Sequence, residues 1–169
     1  MPRIVVAAFG NVLRTDDGFG VAVLAELAAS DPPPQVVLRD VGIGGIHLVQ
    51  DLLGEPADAL VVLDTVELGR APGTVVVVEP EVADVGAMSV MERRDQLADM
   101  HYATPDRALM LLRALGVLPP RTVVVGCEPL DLDTPSRTMT PVAAGAVGPA
   151  AAEVRRVVRA LGVAWPDRS

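Results

Sequence analysis

Five short runs of β-branched and aliphatic residues punctuate the chain: Arg3–Phe9, Gln35–Arg39, Ala59–Leu63, Thr74–Val78 and Arg121–Gly126. They are continuously apolar and do not alternate with polar positions, which predicts strands covered on both faces. Between them the apolar spacing changes to that of a helix. Val21, Leu24, Leu27 and Ala28 share one helical face, and Ile46 to Leu53 reads as a second helix. Ala108, Leu109, Leu112 and Leu115 make a third, with Thr104 as N-cap, Pro105 at the first helical position and Gly116 as a stop. Val147, Ala150, Val154, Val157 and Leu161 make the last, opened by Thr140-Pro141. Strands alternating with helices predict an α/β sandwich.

One connection is too short for the pattern. Only "TVELGRAPG" separates the third and fourth strands. A parallel crossover takes about a dozen residues or more, so the Thr74–Val78 strand is expected to run antiparallel to its predecessor in a mixed sheet. From Glu79 to Thr104 the periodicity is weak, and the stretch is expected to be partly a mobile loop. No repeat or linker interrupts residues 1–169, which are expected to form a single domain.

Composition narrows the partners. A formal net charge of −8 and 2% aromatic residues argue against nucleic acid, which wants a basic face and stacking platforms. No apolar run approaches the roughly 18 residues that suggest a membrane span, so no membrane partner is expected. The opening "MPRIVVAAFGN" lacks a signal-peptide layout, and a lone cysteine, Cys127, makes no internal disulfide. A cytoplasmic setting is expected.

The acids gather at strand ends. The first strand leads through Gly10-Asn11 to Asp16 and Asp17, the second ends at Asp40, the third at Asp64 and the fifth at Glu128. If these strands are parallel, all these groups reach the edge where open α/β sheets bind ligands. Glu79, on the antiparallel strand, goes to the other edge. Clustered carboxylates repel one another unless a cation compensates. His101 precedes the third helix on a side that can face the same crevice, and two carboxylates with one imidazole form a recurring transition-metal set.

Plainer readings compete with this one. "TDDG" before a helix is also an N-terminus signature, in which Asp16 or Thr15 caps. Asp64 can cap a turn, and His101 can be a surface loop residue. His47 is assigned a solvent-facing or packing role, and Cys127 a buried one. Other chemistries lack their residues. "GNVLRTDDGFG" has neither the spacing nor the lysine of a phosphate-binding loop, and "VGIGGIH" has His47 where a dinucleotide fingerprint needs its last glycine. No G-x-S-x-G and no H-E-x-x-H occur.

With these residues on the page, the chain resembles the hydrogenase maturation proteases, endopeptidases that trim the C-terminal tail from the large subunit of nickel–iron hydrogenases. The matching segments are "GNVLRTDDGFG", "DVGIGGIHL", "LVVLDTVE", "DMHYATPDRALMLL" and "VVVGCEP" followed by "MTPVAAGAV". They run in the family's order over nearly the whole chain. The resemblance implies a three-layer sandwich, with a mixed, mostly parallel twisted sheet of about five strands and helices on both faces. It implies Asp17, Asp64 and His101 as the metal-contacting and catalytic trio. Asp16 would cap the helix and steady Asp17, and Asn11 would hold the loop. Asp40, Gly42, Gly44 and Gly45 would shape the crevice. Two positions depart from the family: Val41-Gly42-Ile43 stands where it has Gly-Gly-Thr, and the first ligand is Asp17 where Glu also occurs.

The implied activity is removal of the C-terminal extension of a hydrogenase large-subunit precursor after nickel insertion. Nickel would arrive with the precursor, no organic cofactor would be needed, and the enzyme is expected to be a monomer. Asp17 is the first candidate for general base. Two alternatives are a nickel-dependent chaperone that binds the precursor without cutting, and a nucleotide-handling α/β enzyme.

Overall fold

The structure, a computed structural model, describes residues 1–97 and 104–167. Strands β1 (Ile4–Phe9), β2 (Val36–Gly42), β3 (Ala59–Thr65), β4 (Val75–Val78) and β5 (Arg121–Cys127) form one sheet in the order β2-β1-β3-β5-β4. The first three and β5 are parallel, and β4 is antiparallel to β5. The short link after β3 therefore reverses the chain, as its length dictates. It also steps past β5, which later fills the place between β3 and β4.

Helices α1 (Phe19–Ala28) and α5 (Pro141–Ala160) cover one face of the sheet, and α2 (Ile46–Gly54) and α4 (Pro105–Ala114) cover the other. Successive strand residues point to opposite faces, so β1 feeds both layers. Ile4, Val6 and Ala8 pack with Phe19, Val23 and Val154; Val5, Ala7 and Phe9 pack with Leu48, Leu52, Leu109 and Leu112. Every residue of β1 is buried, which explains its unbroken apolar run. Trp165, 1% exposed, closes the first layer. Its indole Nε1–H donates to the Ser30 carbonyl at 3.2 Å and ties the C-terminal segment to the end of α1.

One expectation changes. The second strand continues past Asp40 to Gly42, because the register shifts between Ala8 and Phe9 and Phe9 pairs with Gly42. The Gly10 N–H then donates to the Gly42 carbonyl at 3.1 Å. The region after Glu79, expected to be loop in part, also holds a helix, Val90–Leu97, α3. Its described side chains are exposed, so it has no apolar stripe to read. It starts instead on a reciprocal cap. The Ser89 N–H donates to Glu92 Oε2 at 2.8 Å and the Glu92 N–H to Ser89 Oγ at 3.2 Å. Residues 98–103 lie outside the described residues.

Candidate active site

The strand order reverses between β1 and β3, since β2 lies on one side of β1 and β3 on the other. Such a switch point opens a crevice beyond the carboxyl ends of the two strands. Here a cleft of about 220 Å³ occupies that place, with Asp17 entering from the loop after β1 and Asp64 from the end of β3. Gly42 and Ile43 line it from the end of β2, and Thr104 and Pro105 from the start of α4. Two of the three residues singled out for metal contact thus share one cleft. The third, His101, lies outside the described residues. Among the described residues no group of three or more His, Cys, Asp or Glu side chains converges in a way that could hold a metal ion.

Local hydrogen bonds fix the two carboxylates. Asp17 Oδ2 accepts the Asn11 N–H at 2.9 Å, and Asn11 Oδ1 accepts the Leu13 N–H at 2.9 Å, so Asn11 holds the loop as its position suggests. Asp64 Oδ1 accepts the N–H of its neighbour Thr65 at 2.8 Å. Burial pushes the Asp64 carboxyl up to about 7, against the Thr65 hydrogen bond, and the negative charges of Asp17 and Asp106 push the same way. An acid in this state gains from a cation in the cleft, because the cation removes both penalties.

Asp16 departs from the capping role expected of it. No side chain caps α1, whose N-cap is Gly18. Asp16 is 0% exposed and turns inward, away from the helix it precedes. Its oxygens accept the N–H groups of Leu130, Asp131 and Thr140 and the Thr140 hydroxyl, at 2.8 to 3.1 Å. Burial alone would raise its pKa, but these donors hold the carboxyl below the usual range. The same seam is stitched through the backbone, where Thr15 N–H donates to Ser136, Asp16 N–H to Asp131 and Ser136 N–H to Leu13, at 3.0 to 3.1 Å. The Thr15 hydroxyl bonds the Thr134 carbonyl. Asp16 therefore fastens the β5–α5 connection beneath the loop that carries Asp17.

The other acids disperse. Glu128 is 6% exposed and accepts the N–H groups of Leu68 and Gly69 at 2.9 and 3.2 Å, closing the turn between β3 and β4. Asp40 is exposed, and its Oδ1 accepts the Gly42 N–H at 3.0 Å. It lines a neighbouring cavity with the exposed His47, so its hold on the cleft passes through Gly42. Cys127 is fully buried, and burial first, then the Asp16 charge, pushes its thiol up to about 11. It is no nucleophile.

The glycines divide by purpose. A Cβ on Gly10 would lie 2.0 Å from the Asp17 carbonyl oxygen, and one on Gly20 would lie 2.5 Å from that of Leu63 and 2.7 Å from that of Phe9. These two let backbone approach backbone. Gly44 has nothing within 4 Å of a Cβ, and Gly45 begins α2 in the left-handed region at φ 53°. Gly42, which lines the cleft, likewise has nothing within 4 Å of a Cβ.

The fold recurs in proteins of known activity. The family model described as hydrogenase maturation protease matches residues 21–157. The chain belongs to the hydrogenase maturation proteases. The hydrogenase expression/formation protein HupD of Rhodobacter capsulatus is 33% identical over 162 residues, covering 95% of this chain and 73% of its own. Among solved structures, the hydrogenase maturating endopeptidase HybD from E. coli superposes with a TM-score of 0.73 at 28% identity, covering 95% of this chain and 94% of its own. A hydrogenase 2 maturation peptidase from a Thaumarchaeota archaeon gives 0.65 at 31% identity, covering 92% and 97%. The five-stranded mixed sheet is the one these proteases share. The protein is thus a peptidase of hydrogenase maturation, with a hydrogenase precursor as its substrate. No helix among the described residues is long and apolar enough to cross a membrane.

Proposed function

We propose that the protease cuts one bond near the C-terminus of a nickel–iron hydrogenase large-subunit precursor, and that it senses nickel already inserted there. The observation that carries this reading is the shared cleft of Asp17 and Asp64, with the Asp64 carboxyl held near neutrality. Two anionic oxygen donors that burden each other suit a metal arriving with the substrate. His101 supplies the imidazole in this proposal. It stands three residues before the lining residue Thr104 in the sequence.

Nickel in the precursor would polarise the scissile carbonyl or acidify a water molecule. The chain's own residues do the rest. Asp17 and Asp64 orient the metal-bearing segment, and Asp17 accepts the proton of the attacking water. Asp17 is better suited to this than Asp64, which keeps its proton to about pH 7 in the free protein. Gly42 leaves room for a main chain to lie against the cleft. The proposed setting is the cytoplasm, with the protease acting as a monomer.

The test mixes purified protease with nickel-loaded and nickel-free precursor and records intact mass. Loss of a C-terminal fragment from the nickel-loaded sample alone is expected. Cleavage of both samples would remove the metal-sensing role, and a stable nickel-dependent complex with no shortened product would replace cutting by chaperoning.

A further inference from the structure

The cleft has two poles. Asp17 and Asp64 make the acidic one. Among the described residues that line it, Arg14 is the one cation. Arg14 sits on a fixed frame. Its N–H donates to the Asn11 carbonyl at 3.1 Å, its carbonyl accepts the Asp17 N–H at 3.0 Å, and it forms an isolated bridge with Ser136.

The head group is held far less firmly. The Arg14 side chain is 51% exposed and makes one 3.4 Å contact with Asp133, whose side chain is 99% exposed. A single long contact between solvated charges stabilises little and exchanges readily. Asp133 itself stands on a pinned turn, because Asp131 Oδ1 accepts the N–H groups of Asp133 and Thr134, both at 2.9 Å. A guanidinium fork on a rigid backbone, loosely occupied by a surface carboxylate, suits exchange for an incoming carboxylate that binds with two parallel hydrogen bonds.

We infer that Arg14 receives a carboxylate of the precursor segment lying in the cleft, and so fixes the direction in which that segment passes Asp17 and Asp64. Asp133 is the placeholder that this carboxylate displaces. The acidic pole repels the same group, so a segment laid in backwards meets like charges at one end and an unanswered arginine at the other. Arg14 is a specificity residue here and takes no part in the bond cleavage. This inference rests on the processing activity proposed above.

The experiment follows initial rates on full-length nickel-loaded precursor by intact mass, for wild type, Arg14→Ala, Arg14→Lys and Arg14→Glu. Arg14→Glu is expected to raise KM by about tenfold or more, with kcat changed far less, and Arg14→Lys to recover part of the loss. Precursors in which acidic side chains of the tail are changed singly to Lys identify the source: the one that restores Arg14→Glu carries the contact. A precursor extended by one glycine tests the terminal carboxylate instead. Wild-type KM in Arg14→Glu would overturn the inference, as would the failure of every altered precursor to discriminate between the two enzymes. If wild type itself cuts nothing, the processing activity fails on its own. Affinity of immobilised wild type and Arg14→Glu for the precursor then still decides, equal values counting against Arg14.

Discussion

Asp16 and Asp17 are adjacent in the chain and face opposite ways. Asp16 is buried under hydrogen bonds from Leu130, Asp131 and Thr140, while Asp17 lines the cleft with Asp64. One carboxylate builds the platform, and its neighbour is presented by it.

Asp16→Ala should cost stability rather than chemistry in the first instance. It strands three backbone N–H donors and a hydroxyl in the interior, for a loss of about 3 kcal/mol in chemical denaturation. Asp16→Asn should do nearly as badly, since an amide NH₂ would face donors. The pH dependence has a definite sign. The folded pKa lies below the ordinary value, so the contribution is present above that value and is lost as pH falls through the folded one. The acid limb of the stability curve should therefore flatten in Asp16→Asn.

Asp64→Asn should separate stability from activity in the opposite direction. The folded pKa is raised from 3.8 to about 7, so wild type loses stability as pH climbs between those values. The amide removes that loss, and the variant should be more stable than wild type by about 4 kcal/mol at pH 8 and equal to it near pH 3.5. Precursor cleavage should fall below detection. Thermal melts at the two pH values check the first claim, and equal melting differences at both would refute it.

Asp17→Asn should fold normally, because the Asn oxygen can still accept the Asn11 N–H. Cleavage of nickel-loaded precursor should drop by about 100-fold or more, the scale on which a general base contributes. Retention of wild-type rate would take the role of base away from Asp17.

Gly20→Ala and Gly44→Ala form a matched pair. The first drives a methyl to 2.5 Å from the Leu63 carbonyl oxygen and forces α1 off the sheet, at a cost of about 3 kcal/mol. The second meets nothing within 4 Å and should leave stability within about 0.5 kcal/mol. Denaturant midpoints measured side by side decide it.

Hydropathy along the chain was enough to predict five strands, their alternation with helices and the reversal of β4, because covered parallel strands are apolar throughout and a short link cannot cross over. The ends of β1 and β3 were legible for the same reason, which brought Asp17 and Asp64 together before any coordinates. Helix α3 was missed, because a helix exposed all round carries no periodic signal, although its reciprocal cap stands in Ser89-Val90-Met91-Glu92. The sequence assigned Asp16 to a helix cap it does not form, and did not reach the long-range jobs of Asp16, Glu128, Gly10 and Gly20. Asp16 meets donors 114 to 124 positions away, and Glu128 meets donors 59 and 60 positions away. Local spacing determines whether a segment is strand or helix. Only the folded chain decides which of two neighbouring aspartates is starved of water and which is left to face a substrate, because that depends on donors delivered from the far end of the sequence.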